Sequence, residues 1–115
     1  MRFTTAAEAV KLIRSNDSVY IQGSTSIPEA LVAAMADRGP ELRGVKVYSA
    51  FAVGAFEAPY CRPEYRDSFL VNSLFVANNI RRWLADGYGQ SIPAFLGEIP
   101  GLFRDGTLPL DFALI

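Results

Sequence analysis

Short β-type runs and helix-type segments alternate along the whole chain, and this alternation constrains the fold more than any other feature. The β-type runs are residues 18–22, 45–48, 69–76, 91–95 and 111–115. The helix-type segments are residues 6–15, 28–37, 80–85 and 100–104. Alternation of this kind is typical of α/β proteins, in which helical crossovers join parallel strands. The sequence therefore predicts a mainly parallel sheet with helices on both faces.

Length and composition fit a single globular α/β domain over residues 1–115. Half of the residues are hydrophobic and 20% are charged, so the chain can bury one core. The net charge of −1 disfavours nucleic acid and anionic membrane surfaces as partners. No run approaches the roughly 20 apolar residues of a membrane span. Charges at Glu8, Lys11 and Arg14 break any signal-peptide core, so we expect a cytoplasmic protein.

The chain contains no histidine and one cysteine, Cys61. The lack of imidazole removes the Ser-His-Asp triad, the Cys-His pair and every histidine-containing metal site from this chain. A single cysteine cannot form an internal disulfide, and its ordinary interpretation is a reduced cytosolic thiol rather than a nucleophile. The residues predict no metal site.

The first candidate site is the segment QGSTSIPEAL, which follows the first predicted strand. Gly23 allows either a positive φ or a close approach to the backbone. Ser26 and Glu29 have the spacing of a capping box, whereas the Ile27-Pro28 pair favours a helix that begins only at Pro28. The segment is neither a P-loop nor GxGxxG. The segment has two interpretations, an ordinary turn with a good helix cap and a ligand-binding loop.

The second candidate site is FVANNIRRW, at the junction between the third predicted strand and a helix. Asn72 interrupts the β-type run of residues 69–76, which is therefore expected to form one or two short strands. Asn78 or Asn79 is expected to cap the helix. One of the two arginines, Arg81 or Arg82, could bind a phosphate or carboxylate with its guanidinium fork. Capping with solvated arginines is an equally good interpretation.

Three glutamates are candidate nucleophiles, Glu29, Glu57 and Glu98, and a structural role is favoured for each. Glu29 is explained by helix capping, and Glu98 suits the start of a helix dipole. Glu57 lies in a small-residue loop with no evident partner.

The chain stops within an apolar β-type run, DFALI. A buried parallel strand is expected to lead into a loop, and natural termini usually lie at the surface. We therefore expect residues 1–115 to be an N-terminal fragment of a longer, two-domain enzyme.

Several segments together resemble the N-terminal part of the acetyl-CoA hydrolase/transferase family, which includes 4-hydroxybutyrate and acetate CoA-transferases. The segments that carry the resemblance are SVYIQGSTSIPEAL, NSLFVANNIRRWLADG and IPAFLGEIPGLFRDGTLPLDFALI. One departure is Gly97, where the family pattern often has serine.

The resemblance implies a fold of the type shared by CoA-transferases and ribose-5-phosphate isomerase, present here as an incomplete N-terminal half. It implies CoA as a substrate with no tightly bound cofactor, and a catalytic glutamate that forms a glutamyl-CoA thioester. That glutamate is expected in the missing half, so no catalytic residue lies in this chain. The implied partners are acyl-CoA, a small carboxylate, the missing C-terminal domain and a second copy in a homodimer. The residues implied to bind substrate are Gly23, Ser24, Thr25, Ser26, Pro28, Phe75, Asn78 and Arg81.

Two other functions remain open from the residues alone. The chain could be a complete, small α/β module for binding or oligomerisation, in which a partner covers the apolar end strand. It could also resemble a sugar-phosphate isomerase domain, although no acid/base pair is evident.

Overall fold

A computed structural model describes residues 2–52 and 58–115. The strands are β1 (Ser18–Ile21), β2 (Val45–Ala50), β3 (Phe69–Phe75), β4 (Gly89–Ser91) and β5 (Phe112–Leu114). The helices are α1 (Ala6–Val10), α2 (Glu29–Asp37), α3 (Asn78–Ala85) and α4 (Ile99–Arg104). Short 3-10 turns cover Ser24–Ser26, Pro63–Tyr65 and Leu96–Glu98.

The five strands form one sheet in the order β4-β3-β2-β1-β5, and every pairing is parallel. The chain steps from β1 to β4 in one direction and then returns across the sheet to place β5 on the other side of β1. Right-handed crossovers that step in opposite directions place their helices on opposite faces. The predicted parallel sheet with helices on both faces is confirmed.

The first face of the sheet, here called the three-helix face, carries most of the core. Alternate strand residues such as Val19, Val47 and Phe69 point to it, and each is 0% exposed. They pack with buried side chains of the three helices α1, α2 and α3, including Met35 and Ile80. Burial of such side chains stabilises the fold by about 1.5–3 kcal/mol each.

The loop that leads into β3 adds aromatic and thiol groups to the same core. Tyr60 is 2% exposed, and its ring packs edge-on against Phe69 with centroids 6.4 Å apart. Burial raises the pKa of the Tyr60 phenol above its ordinary value, so the phenol stays neutral at physiological pH. Cys61 is also buried in this core, which agrees with a structural rather than a nucleophilic role.

The second face, here called the tyrosine face, is covered mainly by α4. Phe103 of α4 packs edge-on against Tyr20 of β1 and Tyr48 of β2, with ring centroids 5.5 and 5.6 Å apart. A smaller apolar cluster surrounds Ala50, Leu74 and Ile99. Burial is the main cause that raises the pKa of the Tyr48 phenol.

The run predicted as one or two short strands forms a single strand, because β3 continues through Asn72. Asn72 pairs in register with Tyr48. Its side-chain amide donates to the carbonyl of Leu70 at 2.9 Å and accepts from the Gln90 amide at 2.6 Å. Because these bonds satisfy its buried polar atoms, the asparagine fits inside the sheet.

The helix predicted over residues 6–15 is shorter, and α1 ends at Val10. The Thr5 hydroxyl accepts from the Glu8 N–H at 3.2 Å, so the predicted cap is confirmed. Beyond the helix, the Arg38 guanidinium donates to the carbonyls of Val10 and Ile13. A side chain distant in sequence thus satisfies the carbonyls that a longer helix would have used.

The fourth strand is Gly89–Ser91, not the predicted residues 91–95. Gly89 pairs with Val71 of β3, and a Cβ at Gly89 would lie 2.9 Å from the Val71 carbonyl oxygen. The close approach explains why a glycine begins this strand. The other elements agree with the predicted boundaries to within two residues.

Among residues 2–52 and 58–115, no helix has the length and apolar character that would let it cross a membrane.

Candidate functional site

The carboxyl ends of β1 and β2 are joined by a close backbone contact at Gly23. A Cβ built on Gly23 would overlap the carbonyl oxygen of Ala50 and lie 3.0 Å from that of Phe51. The Ser24 N–H donates to the Phe51 carbonyl at 2.8 Å. Gly23 itself is extended, with φ −107°, so glycine is needed here for close approach rather than for a positive φ.

Two non-glycine residues at this edge adopt the left-handed region. Ser24 has φ +59° and Phe51 has φ +56°. Such conformations cost about 1–3 kcal/mol each and cluster at ligand-binding sites. The hydrogen bond between Ser24 and Phe51 holds the two strained residues against each other.

An aromatic pair links the end of β2 to the end of β3. The rings of Phe51 and Phe75 are stacked, with centroids 4.3 Å apart and an interplanar angle of 27°. Phe75 remains 52% exposed. The stack therefore links the ends of two neighbouring strands while leaving about half of the Phe75 side chain accessible.

The predicted capping box at Ser26 and Glu29 is wrong. The residue that caps α2 is Pro28, which makes no side-chain hydrogen bond to the helix. Ile27 is extended, with φ −62° and ψ +124°, as expected for the residue before a proline. This extended residue separates Ser26 from the helix, and the Glu29 N–H donates to the Ile27 carbonyl at 2.9 Å instead.

The hydroxyl residues of the 3-10 turn are left on the surface. Ser24, Thr25 and Ser26 are all exposed. Ser24, Thr25 and Glu29 line a shallow depression on the same edge. The turn therefore presents hydroxyl groups beside the aromatic pair.

At the junction after β3, the prediction that Asn78 or Asn79 caps α3 is wrong. Ala77 is the cap, and Asn78 is the first residue of the helix. Asn78 is exposed, whereas the side-chain oxygen of Asn79 is buried with no hydrogen-bond partner among the described residues. The first N–H groups of α3 therefore receive no side-chain cap.

The two arginines of α3 differ in their ion-pair partners. Arg82 forms an ion pair with Asp86 at 3.8 Å, one turn later in the helix. Arg81 is exposed and forms no ion pair or side-chain hydrogen bond within the described part of the chain. Arg81 is therefore the arginine that is available for an external anion.

The structure brings some of the predicted site residues together. Gly23 and Ser24 contact Phe51, which in turn stacks on Phe75. Pro28, Asn78 and Arg81 follow on the same edge of the sheet, but no hydrogen bond or ring contact joins them to the turn. Sequence reasoning missed Phe51, although its place directly after a parallel strand is a usable signal.

None of the candidate glutamates that the structure describes has a contact typical of a nucleophile. Glu98 accepts the Phe95 N–H at 3.2 Å, which is a structural role. Glu29 is exposed in the first turn of α2. Glu57 lies outside the described residues. Across residues 2–52 and 58–115, no group of three or more acidic or cysteine side chains could hold a metal ion.

A family model described as the acetyl-CoA hydrolase/transferase N-terminal domain matches residues 1–115. The chain belongs to this family. The resemblance seen in the sequence segments is confirmed.

Two curated relatives are CoA-transferases by name. The butyryl-CoA:acetate CoA-transferase of Anaerostipes caccae is 28% identical over 99% of this chain and 25% of its own length. The 4-hydroxybutyrate coenzyme A transferase of Clostridium kluyveri is 30% identical over 99% of this chain and 26% of its own length. The chain thus spans about a quarter of the length of the curated relatives that it matches.

Solved structures show the same fold. RipA from Yersinia pestis aligns with a TM-score of 0.76 and 25% identity over 95% of this chain and 27% of its own. A mutant form of RipA aligns with a TM-score of 0.81 and 27% identity. The fold of this chain is therefore that of an N-terminal part of a larger protein of the family.

Proposed function

We propose that the protein carrying this chain transfers CoA between an acyl-CoA and a small carboxylic acid, or hydrolyses acetyl-CoA. The observation that carries the proposal is the family match, which covers residues 1–115. The names of the curated relatives, which are CoA-transferases, support it. The arrangement of exposed hydroxyl and aromatic groups at one edge of the sheet is compatible with a cleft wall.

The proposed reaction uses a glutamate outside this chain as a covalent nucleophile. Its carboxylate attacks the thioester carbonyl, the CoA thiolate leaves, and an acyl-glutamyl anhydride forms. The thiolate then attacks the glutamyl carbonyl and releases the free acid, which leaves a glutamyl-CoA thioester. A second carboxylate repeats these steps in reverse to become the new acyl-CoA, whereas attack by water gives hydrolysis.

This chain supplies one wall of the cleft in the proposal. The residues proposed to face substrate are Gly23, Ser24, Thr25, Ser26, Pro28, Phe75, Asn78 and Arg81. Gly23 and Phe75 shape the wall, while the hydroxyls of the turn can bind polar groups of the substrate. Arg81 makes no ion pair among the described residues, so its guanidinium is suited to a carboxylate or a phosphate of CoA.

The remaining three quarters of the protein are proposed as the main partner of this chain. Several large apolar side chains are exposed, among them Phe3 at 88%, Phe95 at 80% and Ile115 at 77%. A second domain that covers some of these side chains would fit the length of the relatives, of which this chain spans about a quarter. We also propose a homodimer and a cytoplasmic location.

The experiment is to trap the glutamyl-CoA thioester in the full-length protein. Acyl-CoA is added without an acceptor acid, borohydride reduces the thioester to an alcohol, and peptide mass spectrometry locates the modified residue. The modification is expected on a glutamate beyond residue 115. A modified Glu29, Glu57 or Glu98 would contradict the placement, and no modification together with no turnover would contradict the function.

Residues 1–115 alone are proposed to be inactive because the nucleophile is missing. Acyl-CoA:acetate exchange by this chain, above a blank without protein, would contradict that part of the proposal.

A further inference from the structure

Two buried polar atoms on one face of α3 have no hydrogen-bond partner among the described residues. They are the side-chain oxygen Oδ1 of Asn79 and the indole nitrogen Nε1 of Trp83. Residues four apart in a helix lie on the same face, with Cβ atoms about 5–6 Å from each other. A hydrogen-bond acceptor and a hydrogen-bond donor therefore lie one helical turn apart, both out of contact with bulk solvent.

The indole ring of Trp83 is held in a fixed position. The side chain is 7% exposed and belongs to the main core. Its ring packs against that of Tyr88, with centroids 4.6 Å apart, and the Tyr88 N–H donates to the Trp83 carbonyl at 3.1 Å. The ring cannot turn toward water without breaking these contacts. Because buried polar groups in folded proteins are nearly always paired, the indole N–H requires an acceptor inside the protein.

The two atoms select the chemistry of the group that can lie between them. A metal ion would meet the positive hydrogen of the indole, and an anion would meet the amide oxygen of Asn79. A group that both accepts and donates a hydrogen bond satisfies the two atoms at once, and water and hydroxyl groups have this property. Buried water molecules typically bond about two to four otherwise unpaired polar groups.

The first turn of α3 has no side-chain cap. Ala77 occupies the cap position and makes no side-chain hydrogen bond. The backbone N–H groups of Ile80 and Arg81 both donate to the Ala77 carbonyl, at 3.3 and 3.1 Å. A link from Asn79 to Trp83 would connect this turn to a side chain that is anchored in the core.

We propose that one internal water molecule accepts the indole N–H of Trp83 and donates to the side-chain oxygen of Asn79. This bridge, in place of a cap, holds the first turn of α3. The bridged atoms are buried, whereas Asn78 and Arg81 occupy exposed positions in the same part of the helix. The inference is independent of the proposed CoA chemistry, and its tests need no turnover.

A high-resolution crystal structure of the full-length protein tests the site itself. A water oxygen is expected about 2.7–3.2 Å from both Trp83 Nε1 and Asn79 Oδ1. A hydroxyl or carbonyl group of another residue at that position would overturn the inference. A direct hydrogen bond between the two side chains, or no atom between them, would overturn it as well.

Hydrogen exchange of the full-length protein tests whether the bridge holds the helix. Asn79→Leu keeps the approximate size of the side chain but removes the acceptor. It is expected to lower the protection factors of the amides in residues 81–84 by about tenfold, because a buried donor is left unpaired. Trp83→Phe removes the donor and is expected to lower them at least as much. The double variant leaves neither atom unpaired, so its protection is expected to exceed the value given by multiplying the two single effects by about fivefold or more.

Asn78→Leu is the matched control. Asn78 precedes Asn79 in the same turn of α3 but is exposed. The same substitution there removes no buried partner, so the protection of residues 81–84 is expected to change by less than about threefold.

Two results of the exchange experiment would overturn the bridge. Single effects that simply multiply in the double variant would show that Asn79 and Trp83 are not coupled. An equal loss of protection in Asn78→Leu and Asn79→Leu would show that the start of the helix is sensitive to any such substitution, whether or not a buried acceptor is removed.

Discussion

The two faces of the sheet bury their side chains to different extents. On the three-helix face, Val19, Val47 and Phe69 are 0% exposed, and helices on the same side complete the core. On the tyrosine face, Leu70 remains 43% exposed, and α4, of six residues, is the main cover. The three-helix face therefore carries most of the core, and the tyrosine face is covered less completely at Leu70.

The carboxyl edge belongs to the open side of this comparison. A shallow pocket at this edge lies between the ends of β1 and β2 and the start of α4, on the tyrosine face. The strained residues Ser24 and Phe51 also lie there. A third non-glycine residue in the left-handed region, Asn16, lies before the start of β1, so two of the three such residues among those described lie at the carboxyl edge.

The largest expected effect compares Phe69→Ala with Leu70→Ala, two neighbours in β3 that point to opposite faces. Phe69→Ala removes a fully buried ring and is expected to lower the free energy of unfolding by about 3–5 kcal/mol. Leu70→Ala is expected to cost less than about 1 kcal/mol, because nearly half of its side chain is already in water. Denaturant unfolding monitored by far-UV circular dichroism measures both. Equal losses of unfolding free energy in the two variants would contradict the difference in packing between the two faces.

The second effect tests the close contact at Gly23. Gly23→Ala places a methyl group on the Ala50 carbonyl and is expected to destabilise the protein by about 1–3 kcal/mol. It is also expected to lower kcat/KM for acyl-CoA by at least about tenfold, because small displacements of a cleft wall are costly.

Gly101→Ala is the control for the Gly23 variant. A Cβ at Gly101 in α4 meets no atom within 4 Å, and alanine favours a helix interior. Stability is expected to rise by about 0.4–1 kcal/mol, with kcat/KM unchanged. A Gly23→Ala protein that behaves like Gly101→Ala in both assays would show that the contact is dispensable.

Much of the fold could be predicted from local patterns. The alternation of runs predicts the parallel sheet, and the spacing of Thr5 and Glu8 predicts the cap of α1, because both signals depend on neighbours in sequence. The end of α1 could not be predicted, since Arg38 supplies the hydrogen bonds from far along the chain. Whether Asn72 divides its run into two strands could not be predicted for the same reason, because its partner Gln90 lies in another strand.

The candidate site was harder to predict than the fold. The caps expected at Ser26 and Asn78 are absent. The extended residue Ile27 separates Ser26 from α2, and the extended residue Ala77 occupies the cap position of α3 in place of Asn78. Phe51 was missed because phenylalanine has no intrinsic preference for the left-handed region. Only the contact between two strand ends requires that conformation.

The most direct test of the central claim is hydrogen exchange of the full-length protein with and without butyryl-CoA, in the absence of an acceptor acid. If substrate binds at the carboxyl edge, backbone amides in residues 22–27 and 75–81 should exchange more slowly with the ligand bound. Amides in residues 66–71, at the amino end of β3, should exchange at the same rate in both states. Protection confined to residues 66–71, or no protection at either end, would contradict the assignment of the carboxyl edge as the substrate side.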